Sequence, residues 1–140
     1  MSLVFSHVAL NCRDPLATER FYTRHFGFRR ARVIPLGGEQ IVFLKAGTVY
    51  LELFQAKGDP PGPAFDKDGP GHRGVRHIAF QVDDVDAALA AMGQDAVVTL
   101  GPLDFGSFIP GWRTVWVADP DGTIVEISQG YTDQDHPPSI

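Results

Sequence analysis

The chain has only four glutamates, and two of them stand in the middle of its most apolar stretches: Glu52 in VYLELF (49–54) and Glu126 in TIVEI (123–127). An unpaired carboxylate in such surroundings is costly, so each needs a strongly positive partner. No Lys or Arg is interleaved with them, whereas two of the five histidines, His7 in HVALN (7–11) and His77 in HIAFQ (77–81), occupy matching places elsewhere. A divalent cation held by two imidazoles and two carboxylates would satisfy all four groups. That nitrogen and oxygen set suits zinc, nickel, cobalt, manganese or ferrous iron, and lacks the thiolates that mark a structural zinc site. The lone Cys12 excludes a disulfide framework and a cysteine-based zinc site within one chain. Taken singly, the same residues have ordinary readings: a structural strand histidine, a glutamate on the solvent face of an antiparallel strand, a metal-free pocket.

The elements that must position these residues come in two copies. Residues 4–11 read as a strand, Asp14-Pro15 as the N-cap and first-turn proline of a helix, and Gly27 as its end. Strands over 29–35, 40–45 and 48–55 follow, separated by Gly37-Gly38 and Ala46-Gly47. Nine Gly or Pro in the 18 positions of 57–74 make that stretch a connector. Then the grammar restarts: a strand over 75–82, an Asp84 N-cap, and Val85, Ala88, Leu89 and Met92 on one helix face. Strands near 97–100, 114–118 and 123–128 complete it, with the tight turn Asp119-Pro120-Asp121-Gly122 before the last. His7 to Asn11 overlays His77 to Gln81 at an offset of 70, as does Asp14 on Asp84, and Val49 to Leu53 overlays Thr123 to Ile127 at an offset of 74. Strand parity puts each His and each Glu on the face away from the helix. The repeat places both residue types on that face twice, which favours the metal reading.

The fold class expected is α+β: two pseudo-symmetric βαβββ modules (about 4–56 and 75–130) forming a cupped mixed sheet with helices outside, within a single domain spanning 1–140, with 131–140 as a tail. A length of 140 residues is enough for a real core. The net charge of -5, with no Lys/Arg cluster read in the sequence, argues against a nucleic-acid or anionic-membrane partner. No apolar run approaches the roughly 20 residues that span a bilayer, and the N-terminus lacks the pattern of a signal peptide. The expectation is a cytoplasmic protein whose partner is a small molecule.

The motifs HVAL (7–10), Asp14…Phe21-Tyr22…Phe26-Gly27-Phe28, LEL (51–53), HIAF (77–80) and DPDG (119–122) with Val125-Glu126 resemble the vicinal oxygen chelate superfamily. That superfamily comprises glyoxalase I, methylmalonyl-CoA epimerase, extradiol dioxygenases, fosfomycin-resistance enzymes and bleomycin-binding proteins. The resemblance runs from Phe5 to about Tyr131. It implies that His7, Glu52, His77 and Glu126 are the ligands of one divalent metal ion, a set most like bacterial glyoxalase I. It also implies a lyase or isomerase working through a metal-chelated enediolate on a small vicinal-oxygen substrate, with Glu126 the first choice for the base and Glu52 its counterpart. Glyoxalase I usually holds glutathione with an arginine and an asparagine where this chain has Asn11 and Ala56. Neither replacement supplies the charge or hydrogen bonds that a carboxylate-bearing tripeptide needs, so a related chelating substrate is expected.

Tyr50, on the face of Glu52, and Phe105 and Trp112, in the Gly/Pro-rich segment 101–113 read as a loop, are the other candidates for the substrate, with Asn11. Core packing or a dimer contact would explain the aromatics as well. His25, His72 and His136 are read as structural or exposed. Two other functions compete: a ferrous extradiol dioxygenase using His7, His77 and Glu126 alone, and a metal-free small-molecule binder of the bleomycin-resistance type. A homodimer is the expected assembly.

Overall fold

The computed structural model describes residues 2–140 and resolves into two compact units. The first comprises the chain through Ala64 together with Asp119–Gly122; the second comprises Phe65–Ala118 and Thr123–Ile140. The first carries strand β1 (His7–Cys12), helix α1 (Pro15–Phe26) and strands β2 (Arg29–Leu36), β3 (Glu39–Ala46) and β4 (Val49–Gln55). The second carries β5 (Ile78–Gln81), α2 (Val85–Met92), β6 (Val97–Asp104), β7 (Arg113–Ala118) and β8 (Ile124–Gln129), with one 3-10 turn at Gly93–Asp95. Each is a βαβββ module, as the repeat requires.

Each module makes a four-stranded mixed sheet, in the orders β1-β4-β3-β2 and β5-β8-β7-β6. The first and last strands of each module pair in parallel and the others antiparallel. A parallel pair needs a crossover connection, which α1 and the two strands after it, or α2 and its two, supply. Asp14 caps α1 by accepting from the amides of Leu16 and Ala17, and Gly27 ends it at φ 70°, a left-handed conformation that costs glycine little. Asp84 caps α2 through the Ala87 amide.

Alternation then sorts the side chains. Along β1, Val8, Leu10 and Cys12 are the more buried set, and His7, Ala9 and Asn11 the exposed one. Thr18, Phe21 and Tyr22 form the inner stripe of α1 over Leu51 and Leu53 of β4. In the second unit Val85 and Met92 of α2 cover the buried Val115, Val117, Val125 and Ile127 of β7 and β8.

Four boundaries differ from expectation. Strands β1 and β5 start later, so residues 4–6 and 75–77 lie outside them, and His77 immediately precedes β5. Strand β6 runs on to Asp104 through register irregularities between Val98 and Leu103, so the segment expected as a loop from Gly101 begins as strand. The Asp119–Gly122 turn, read in the sequence as part of the second module, packs in the first unit. Its contacts with the first unit are polar, from two side chains of α1 and one backbone amide just before it. The Tyr22 hydroxyl donates to Asp119 Oδ2 at 2.7 Å, the Thr18 hydroxyl to Asp121 Oδ2 at 2.6 Å, and the Arg13 amide to Asp121 Oδ1 at 2.7 Å.

Burial, with the Asp119 charge beside it, pushes the Tyr22 phenol well above its ordinary range, so it is a fixed donor. Tyr22→Phe would leave the Asp119 carboxylate short of a charge-assisted bond. The expected loss is about 1.5–3 kcal/mol, read from urea unfolding at unchanged m-value. The neighbouring Cys12 thiol is buried completely and is pushed up to about 12, by burial and by Asp121 and Asp119 against a Thr18 hydrogen bond. At pH 8 it should resist a disulfide reagent in the folded protein and react at once in urea, because the thiolate is the nucleophile.

Candidate functional site

In both modules the parallel pairing of first and last strands brings a histidine beside a glutamate. In the first unit Ala9 lies opposite Glu52, and His7, two residues earlier on the same face, reaches the carboxylate diagonally. In the second unit Ala79 lies opposite Glu126, with His77 again two residues earlier. The small alanine in both places leaves the space in which imidazole and carboxylate meet. His7 Nε2 stands 3.0 Å from Glu52 Oε2, and His77 Nε2 stands 2.6 Å from Glu126 Oε2.

The second ring nitrogens define what the first can do. His77 Nδ1 is 2.6 Å from the Asp68 carbonyl oxygen, which only accepts; Nδ1 therefore carries the proton. With Nδ1 donating to the carbonyl, Nε2 is the ring atom that faces Glu126 Oε2, at hydrogen-bond distance. The carbonyl-held Nδ1 is also the arrangement that fixes a metal-ligating imidazole. His7 Nδ1 has the Ser6 hydroxyl at 2.9 Å, a partner that can take either role. The donor set of each unit thus fits a divalent cation, at two ligands per unit. Among the described residues no three His, Cys, Asp or Glu side chains gather to hold an ion.

Each pair has an aromatic ring on the next strand. Phe43 of β3 lies opposite Glu52 and packs edge-on against His7 at 5.8 Å between centroids. Trp116 of β7 lies opposite Glu126 and packs against His77 at 6.3 Å. Beside Glu126 a cavity of about 330 Å³ is walled by Ala79, Gln81, Trp112, Ser128 and Tyr131. The Trp112 indole donates to Ser128 Oγ at 3.1 Å, and Ser128 in turn bonds Thr114 at 3.0 Å, which fixes that wall.

A model of the Glyoxalase/Bleomycin resistance protein/Dioxygenase superfamily matches residues 4–127. The chain belongs to that superfamily. Among solved structures, this superfamily member is similar to a lactoylglutathione lyase from Agrobacterium tumefaciens, at 28% identity and TM-score 0.58 over 91% of this chain and 93% of that one. It is similar to a glyoxalase family protein from Enterococcus faecalis at 27% identity and TM-score 0.63, over 89% of this chain and 93% of that one. It is also similar to a glyoxalase/dioxygenase from Nostoc punctiforme at 25% identity and TM-score 0.66, over 90% of each. Comparison with curated proteins finds no match.

For this glyoxalase-superfamily chain, the residues singled out in the sequence separate into three groups. His7 meets Glu52 and His77 meets Glu126, each pair within its own unit. Trp112 lines the cavity beside Glu126, with Phe105 packed behind it at 5.0 Å. Tyr50 lies opposite His7 in the strand register, with the Lys45 ammonium 5.2 Å over its ring. Asn11 lines a separate cavity of about 570 Å³ with Arg13, Gln55, Ala56 and Lys57. Asp59 and Asp121 line the same cavity, and both Lys57 hydrogen bonds go to Glu39.

Sequence reading missed Trp116, Gln81, Ser128 and the Asp68 carbonyl. The alternation of β7 contained the signal for Trp116, which is an aromatic residue on the face of Glu126. It also missed a basic groove. Arg20 and Arg24, one helical turn apart on α1, join Arg30 of β2 around a concavity of about 450 Å³, with Arg30 held by Glu19. No helix among the described residues is long and apolar enough to cross a membrane.

Proposed function

We propose that the chain is a divalent-metal-dependent lyase or isomerase of the glyoxalase type, which moves a proton at a carbon beside a carbonyl of a small vicinal-oxygen substrate. The observation that carries the reading is the His77–Glu126 pair, with Nδ1 fixed by the Asp68 carbonyl and a cavity opening on the carboxylate. His7, Glu52, His77 and Glu126, from one chain or from two copies, would hold the ion. When bound, the cation polarises the substrate carbonyl and offsets the negative charge that grows on its oxygen. Glu126 Oε2 accepts the proton as the C–H bond breaks, and the electron pair moves onto the carbonyl to give the enediolate. The same carboxyl returns the proton to the adjacent carbon from its own face, and return to the opposite face would fall to a second base. Glu52 is the counterpart base for the other stereochemistry. Trp112 and Tyr131 present apolar surface to a substrate at Glu126, with Phe105 backing Trp112, while Asn11 and Tyr50 would meet it only from the first unit. The similarity to a lactoylglutathione lyase at 28% identity supports the reaction class; Asn11 and Ala56 favour a substrate other than a glutathione adduct.

One feature favours a second reading, a metal-free binder of small molecules. Each histidine and glutamate already faces its partner directly, so an imidazolium–carboxylate pair satisfies both without an ion. Metal analysis separates the two. The metal-dependent reading predicts about one divalent ion per two histidine–glutamate pairs after reconstitution, and none bound would leave the binder. The base is tested by Glu126→Gln. Turnover of an α-hydroxycarbonyl compound, followed by solvent deuterium entering the C–H position, should fall by about 10²–10⁴-fold with the far-UV spectrum unchanged. An unaltered rate would remove Glu126 from the chemistry.

A further inference from the structure

Among the described residues one buried side-chain polar atom has no hydrogen-bond partner, the indole nitrogen of Trp116. Buried donors are paired in the large majority of cases, because an unmade bond costs about 1–3 kcal/mol. Packing does not require this one. The repeat places Phe43 where Trp116 stands, each opposite its module's glutamate and each edge-on to its module's histidine. A ring is enough at that position in the first unit. The second unit has a ring with an N–H, and the N–H is left over. Trp116 is 6% exposed and in ring contact with Phe105 and His77, so its indole is held in place by its neighbours.

The acceptor directly across the strand pair is the Glu126 carboxylate, now engaged by His77 Nε2. We propose that the Trp116 indole N–H is the hydrogen-bond partner of the Glu126 carboxylate once His77 Nε2 has turned its lone pair to a metal ion. This rests on the metal-dependent reading above. In that state the indole bonds one carboxylate oxygen and leaves the other directed at the ion or the substrate. Trp116 is a positioning residue in this role, since it acts through Glu126. Glu52 has no such donor opposite it, only Phe43, so the device singles out one of the two carboxylates as the one with a fixed orientation.

The two tryptophans make the test internal. In protein labelled with ¹⁵N at the indoles, two N–H signals are expected, assigned with the Trp112→Phe and Trp116→Phe variants. On titration with zinc ions the Trp116 signal should move downfield as a new hydrogen bond forms, while the Trp112 signal, already bonded to Ser128, stays put. Trp116→Phe, which copies the Phe43 arrangement, should bind zinc about 10-fold more weakly, the loss expected when a partner of a ligating carboxylate is removed. Zinc binding with an unmoved Trp116 signal, or with wild-type affinity in Trp116→Phe, would overturn the proposal and leave the metal reading standing. Failure of the native protein to bind zinc, or any of the other divalent ions above, would overturn both.

Discussion

A carboxylate placed in the middle of an apolar strand must be given a positive partner, and in this protein the parallel pairing of two strands far apart in sequence supplies it. Ala9 opposite Glu52 and Ala79 opposite Glu126 are the same register written twice. A slip of one residue would turn the histidine to the helix side and leave the glutamate unpaired. The rest of each module serves that register. The Asp14 and Asp84 caps set where the helices begin, the helices return the chain to the sheet, and the apolar residues flanking each glutamate anchor its strand to the core.

The two pairs are built alike and finished differently. Glu52 and Glu126 are similarly covered, but the His7 ring is 37% exposed and rests on a hydroxyl, whereas the His77 ring is 20% exposed and is held by a backbone carbonyl. The second unit combines the pair with an adjoining aromatic-walled cavity lined by the glutamate itself and with an indole donor across the strand, where the first unit has Phe43. The two glutamates therefore sit in unequal surroundings although their strand registers match.

Much of this was legible in the sequence because it is local or repeated. Capping residues, alternation and the offsets of 70 and 74 follow from short-range chemistry, and they were enough to place the two histidines and two glutamates on matching faces. What was not legible depends on partners distant in the chain. The Asp119–Gly122 turn joins the first unit because Arg13, Thr18 and Tyr22 donate to its carboxylates, over separations of about a hundred residues. The Asp68 carbonyl reaches His77 from a connector whose Gly and Pro content announces only irregularity. Trp116 looked like one more apolar residue of a buried strand until the register set it opposite Glu126 and left its N–H without a partner.

The central claim is that the two histidine–glutamate pairs are the ligands of one ion. Anomalous diffraction at the absorption edges of the candidate metals, from crystals of protein loaded with each in turn, tests it directly and reads at the same time which chain contributes each ligand. The account predicts a single strong peak bonded by His7 Nε2, Glu52, His77 Nε2 and Glu126. A loaded crystal with no peak there, and with His77 and Glu126 still in direct contact, would contradict it.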